Sequence, residues 1–187
     1  LQAVSELLSA TQPPLTPRRP GVRFLLAHPA HAISLGFGSG LSPRGPGTVG
    51  TLWAWLAWLV IDGWLDARQQ GLLIAAAFFI GWWACTTAAR HLATADPGAI
   101  VWDEVVAFWI VLWLVLPAGF WGQLAAFALF RFFDVVKPGP VAWADTVFKT
   151  GAHSGTASIG WRDGFGILFD DLVAALCTLL VIAVWRW

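Results

Sequence analysis

The chain has no methionine, no tyrosine and no asparagine, and only two cysteines in 187 residues. Cys85 and Cys177 stand far apart in apolar runs, with no Cys-x-x-Cys spacing and no neighbouring histidine pair. That excludes a zinc site and a disulfide framework, and predicts two small hydrophobes inside apolar segments. Charge is also scarce: 12% of residues carry it, against about 25% in an ordinary soluble domain. The 11 basic and 11 acidic residues cancel, so there is no basic field to hold a nucleic acid. What is abundant is apolar surface, with 58% hydrophobic residues, 14 Trp and 13 Phe, and a mean hydropathy of +0.69. These proportions exclude disorder and predict a chain built for lipid. At about 20 residues per crossing, four to six spans use most of the length and leave no room for a second large domain.

Residues 1–20 read as a flexible tail, because Pro13, Pro14, Pro17 and Pro20 crowd a stretch no helix tolerates. Residues 21–187 read as one membrane-embedded domain. Its first apolar segment, Phe24 to Phe37, is broken by Pro29 and is expected at the membrane interface. The Gly- and Pro-dense stretch Gly36 to Gly50 reads as a loop. Five apolar runs follow: Thr51 to Leu65, Gly71 to Ala89, Ile100 to Pro117, Gly119 to Val136, and Phe165 to Trp187. They are long and lack period-two alternation, so they predict an all-α, polytopic helical bundle of about five spans. With the tail and the Gly-rich loop on one side, nine of the eleven basic residues share that side, and only Arg68 and Arg186 fall opposite. The positive-inside rule then assigns the crowded side to the cytoplasm.

The same placement gathers the acids. Asp103-Glu104 opens the third run and Asp170-Asp171 lies near the start of the fifth. A carboxylate within a span costs about 2.5–3.5 kcal/mol on insertion scales, so four of them are expected to hold something. Two acidic pairs repel unless a cation or protons intervene, and a hard divalent ion such as Mg2+ resolves that conflict with oxygen ligands. At the end of the fourth run, Arg131, Asp134 and Lys137 recur every three residues, which suits either a neutralised ion pair or a phosphate-facing cation cluster. Arg44 and Thr48, just ahead of a helix N-terminus, add candidate anion contacts. His28, His31, His91 and His153 show no paired ligand spacing and are expected to be interfacial or solvated. Gly-x-Ser-x-Gly and Gly-x-x-x-x-Gly-Lys-Ser/Thr motifs are both missing.

Gly36-Phe37-Gly38-Ser39-Gly40-Leu41-Ser42-Pro43 with Pro46-Gly47-Thr48, the block Ile100 to Glu104, Phe130-Arg131 with Asp134 and Lys137-Pro138, and Gly166-Ile167 with Asp170-Asp171 occur in one order over about residues 35–175. In this the chain resembles the phosphatidylglycerophosphatase A family of bacterial membrane lipid phosphatases. The resemblance implies Mg2+-dependent removal of the terminal phosphate of phosphatidylglycerophosphate, giving phosphatidylglycerol and inorganic phosphate. It implies an enzyme of the inner membrane with its site facing the cytoplasm. Asp103, Glu104, Asp134, Asp170 and Asp171 become its expected catalytic residues. Asp103, Glu104, Asp170 and Asp171 become its metal ligands, and Arg131, Lys137, Arg44 and Thr48 its phosphate contacts. The chain departs from the family pattern in a longer stretch from Thr146 to Arg162, in Asp163 where Gly is expected and in Leu168 where Met is usual. A membrane transporter or ion-binding subunit using intramembrane carboxylates is the alternative. It requires polar residues through the whole thickness, whereas the far halves of the runs are nearly pure Trp, Leu, Val, Ala and Phe.

Overall fold

The computed structural model describes residues 19–94, 96–115, 117–148 and 159–186. Among the described residues every regular element is helical and none is a strand. Two short helices, α1 (Val22–Ala27) and α2 (Pro29–Ser34), lead through a 3-10 turn at Gly36–Leu41 into α3 (Pro46–Trp64). Then come α4 (Ala67–Leu92), α5 (Trp102–Val115), α6 (Phe120–Val136), α7 (Pro140–Val147) and α8 (Trp161–Arg186).

Local chemistry sets the borders. Gly45 takes a left-handed φ of 55° that turns the chain into α3, and Pro46 occupies the first helical position, where its missing N–H leaves no bond unmade. A capping box opens α4: Asp66 accepts the Gln69 backbone N–H at 2.9 Å, and the Gln69 side chain accepts the Asp66 N–H at 3.0 Å. Arg90 and His91 in the last turn of α4 suit the negative end of its dipole.

Helix α5 is the hub, packed against α3, α4, α6 and α8. Ten of its fourteen residues are buried. Its entry is fixed by the Val101 N–H, which donates to the Ser34 carbonyl at 2.9 Å. The indoles of Trp102 and Trp109 donate to the carbonyls of Ala77 and Ala54 at 3.0 and 2.9 Å, pinning α5 to α4 and α3. Gly81 permits this approach, since a Cβ there would run into the Trp102 indole. The outward faces are apolar as well: Leu52, Leu56 and Leu59 on α3, Leu72, Phe79 and Ile80 on α4, and Leu176, Leu180 and Val184 on α8 are all exposed. Such faces are a liability in water and ordinary in lipid. Ala67–Leu92 and Trp161–Trp185 are long and apolar enough to cross a membrane, which fits a membrane protein.

Each of the five apolar runs contains a helix, but the borders and the connections differ from expectation. The stretch from Gly36 to Gly50 is not all loop: it forms the 3-10 turn and the first turn of α3, because Gly45-Pro46 is itself a helix start. The fifth run starts earlier, at Trp161, so Asp170 lies two and a half turns inside α8. Between the fourth and fifth apolar runs, Pro140 at the first helical position begins α7, which buries Val141 and Ala144. His31 is not solvated. It is buried, donates from Nδ1 to the Phe24 carbonyl at 2.7 Å, and has Nε2 2.7 Å from His91 Nδ1. Burial lowers the His31 pKa, so in its neutral form the Nε2 lone pair accepts from the His91 Nδ1–H. The proline-rich start of the chain, His153 and residues 151–158 lie outside the described residues.

Candidate active site at the charged end of the bundle

The start of α5 and the middle of α8 meet at one place. Asp103 and Glu104 come from the first turn of α5 and Asp171 from α8, and one ligand atom from each lies within 4.8 Å of the others. Three carboxylate oxygens there are buried without a hydrogen-bond partner: Asp103 Oδ1, Glu104 Oε2 and Asp171 Oδ2. Buried oxygens of this kind carry a full desolvation penalty unless a cation or donor reaches them. An all-oxygen set suits a hard divalent ion, so these residues fit a metal of the Mg2+ class.

Helix α6 brings the positive charge. Arg131 pairs with Asp134 one turn on and stands 3.7 Å from Glu104. Asp134 also faces Asp171 across the α6–α8 interface. The Arg131 guanidinium reaches α3 as well, with Nη1 3.5 Å from Thr51 Oγ1, whose own hydroxyl donates to the Gly47 carbonyl at 2.8 Å. Arg131 Nε is buried and unpartnered. Gly47 is what lets α3 approach: a Cβ there would collide with Glu104 Oε1 and sit 3.1 and 3.2 Å from the two Arg131 terminal nitrogens.

Asp170 and Asp171 part company. Adjacent helical residues point about 100° apart, so Asp171 faces the α5 acids while Asp170 Oδ2 accepts from Lys137 Nζ at 2.6 Å. Lys137 does not continue the Arg131–Asp134 face, because it caps α6 in the left-handed conformation with φ 47°. Its ammonium also donates to Asp145 Oδ1 of α7 at 2.5 Å. Burial works against that charge, but the two carboxylates outweigh it and hold the Lys137 ammonium above its ordinary range.

The structure therefore brings Asp103, Glu104, Arg131, Asp134, Lys137, Asp170 and Asp171 to one end of the bundle. It leaves Arg44 exposed ahead of α3 and Thr48 exposed in its first turn, and no hydrogen bond or ion pair joins either side chain to the cluster among the described residues. A separate cavity of about 420 Å³, lined by Arg19, Leu41, Pro43, Leu92 and Asp96, touches none of the cluster acids. Both cysteines are free, and Cys85 is fully buried in α4 as a small hydrophobe.

The sequence profile of the phosphatidylglycerophosphatase A family matches residues 32–186, which takes in every element of this site. The chain belongs to the phosphatidylglycerophosphatase A family. It is 33% identical over 174 residues to a phosphatidylglycerophosphatase A of Haemophilus influenzae, covering 92% of this chain and 99% of that one. To the phosphatidylglycerophosphatase A of Escherichia coli it is 36% identical over 155 residues, 82% of this chain and 81% of the relative. A Bacteroides thetaiotaomicron protein provisionally named a phosphatidylinositol-3-phosphatase is 35% identical over 161 residues, 83% and 92% of the two chains. No solved structure matches. Membership makes this chain an enzyme of the phosphatase class.

Against that family background, Asp145 is the participant that sequence reasoning missed. Gly139-Pro140 ahead of the Val141/Ala144 pair was the available signal, a helix start between the fourth and fifth apolar runs.

Proposed function

We propose that this chain hydrolyses the terminal phosphate monoester of phosphatidylglycerophosphate to phosphatidylglycerol and inorganic phosphate, with Mg2+ as cofactor. The observation that carries the reading is the set of three unpartnered carboxylate oxygens of Asp103, Glu104 and Asp171 beside the Arg131 guanidinium, in a chain of this family. Asp103, Glu104 and Asp171 would hold the ion. Bound there, it supplies positive charge that offsets the acids and an incoming phosphate. Arg131 adds a planar pair of donors suited to phosphate oxygens, and no side chain caps the first N–H groups of α3. The third N–H of Lys137 is left for the substrate, its other two being engaged by Asp145 and Asp170. A water that attacks phosphorus must lose a proton as the glycerol oxygen leaves and gains one. A carboxylate oxygen of the cluster not engaged by the ion is the acceptor at hand.

The reading includes five crossings by α3, α4, α5, α6 and α8, with the charged end facing the cytoplasm of the bacterial inner membrane. The nine-to-two distribution of basic residues supports that orientation. Exposed Trp64, Phe120, Trp121 and Trp185 at one set of helix ends and Trp143 and Trp161 at the other are as expected of belts at two interfaces and support the crossings. Helix α5 has fourteen residues, about 21 Å, short of the roughly 30 Å hydrocarbon core. The buried Ile100 and Val101 before it make up depth inside protein, where non-helical backbone is tolerated. The acids then lie just below the headgroups, so acyl chains stay in the bilayer while the phosphate enters. Confinement of the charged cluster to one end speaks against a permeation path.

The test is phosphate release by the purified full chain in detergent, given phosphatidylglycerophosphate with Mg2+ or with chelator. Release with Mg2+ and loss with chelator is the expected result. Release unaffected by chelator overturns the metal, and no release with any divalent ion overturns the activity.

A further inference from the structure

We propose that Asp145 is a positioning residue and that Asp170 serves with it, the two carboxylates forming jaws that fix the Lys137 ammonium beside the metal cluster, so that Asp170 is not itself a metal ligand. The inference rests on the phosphatase reading above and refines it. Lys137 leaves α6 in a left-handed conformation, which turns its side chain away from the Asp134 face and into the corner between α7 and α8. There Nζ lies 2.5 Å from Asp145 Oδ1 and 2.6 Å from Asp170 Oδ2. Two charge-assisted bonds in different directions leave an ammonium little rotational freedom, and its remaining N–H has one direction to point.

Helix α7 is built to hold its jaw in place. Val141 and Ala144 are buried against α8. Trp143 contacts Phe169, and Phe148 packs edge-on against Phe165 and Phe169. Gly166 has no Cβ where the Phe148 side chain crosses α8. Asp170 is buried, and its neighbour Asp171, rather than Asp170 itself, shares the 4.8 Å cluster with Asp103 and Glu104. The adjacent acids Asp170 and Asp171 thus have separate duties, one toward a lysine and one toward a metal.

The test uses the full chain in detergent and reads two quantities: Mn2+ binding by electron paramagnetic resonance without substrate, and steady-state kinetics on phosphatidylglycerophosphate. Asp171→Asn is expected to lose Mn2+ binding, whereas Asp170→Asn retains it and lowers kcat/KM by no more than the roughly ten- to hundredfold expected of losing the Lys137 contact itself. Asp145→Asn is expected to raise KM about three- to tenfold, the worth of an ordinary hydrogen bond, with kcat nearly unchanged. Asp145→Glu should recover part of the wild-type KM. In a Lys137→Ala background, Asp145→Asn should add nothing further. A purely structural Asp145 would give additive losses with a lowered Tm in both backgrounds, and that result overturns the proposal. So does loss of Mn2+ binding in Asp170→Asn with wild-type binding intact. Wild-type protein that binds no Mn2+ overturns the metal reading beneath it. Wild-type protein that binds Mn2+ yet releases no phosphate overturns the phosphatase reading, while the Mn2+ comparison of Asp170→Asn with Asp171→Asn still decides the division between the two acids.

Discussion

The two ends of the helix bundle treat their polar groups in opposite ways. At the end bearing Trp64 and Trp121, charged and amide side chains close on one another and on the backbone. The Gln70 amide donates to Asp62 and to the Leu65 carbonyl, each at 3.0 Å. Asp66 and Gln69 cap one another, and Trp55 donates to Gln123 at 2.6 Å. At the other end, Asp103, Glu104, Asp171 and Arg131 each keep a buried atom without a partner. Elsewhere among the described residues only the Trp58 indole does so. Closed polar contacts stabilise a fold and ask for nothing more. Four unfinished ones packed together cost stability and persist where something else is to be bound.

Substitutions at the two ends test that contrast. The largest effect is expected from Asp171→Asn, which removes a carboxylate from the three-acid cluster. It should lower kcat by about a hundred- to a thousandfold, the scale on which one preorganised electrostatic group acts. Phosphate release at saturating Mg2+ measures it, and a near wild-type rate would erase the distinction between the two ends. Lys137→Ala should lower kcat/KM about ten- to a hundredfold by removing a charge-assisted contact of about 1.5–3 kcal/mol. Unchanged kinetics in a correctly inserted protein would put the phosphate elsewhere. Gly47→Ala is a steric probe of the same end. Its new Cβ displaces Glu104 and crowds Arg131, an overpacking strain of about 1–3 kcal/mol, so activity should drop roughly tenfold with the helices intact by circular dichroism. At the closed end, Asp66→Ala should cost about 1 kcal/mol of stability through the lost cap and leave kcat/KM unchanged. A loss of activity there would show that the ends are coupled.

The smallest effect concerns pH. His31 has a pKa lowered by burial, so the unfolded chain binds its proton first. The stability it contributes is present above about pH 6.5 and is lost as pH falls toward the lower folded value. The wild-type Tm should therefore fall between pH 7.5 and 5.5, and His31→Gln should flatten that fall. Equal pH dependence in both proteins would remove His31 as its source.

Much of this was legible beforehand because hydrophobic runs report helices directly. All five runs contain helices, and the acid pairs at 103–104 and 170–171 stand out against an apolar background. The connections were less legible. Helix α7 is eight residues long, too short for its periodicity to rise above the surrounding turn residues. His31 and His91 are sixty residues apart, and nothing local announces their contact.

Composition and run length were enough to read the apolar character that fits a membrane protein, the five segments that hold long helices, and the family whose motifs the chain carries. Composition and run length act through local and additive terms, and those can be read along the chain. Tertiary structure decided which acid faces which partner. Asp170 and Asp171 are chemically identical neighbours, and the 100° turn between them on α8, together with the left-handed cap at Lys137 that swings an ammonium toward Asp170, gives them different partners. That assignment depends on where three other helices stand, a long-range property that no window of sequence contains.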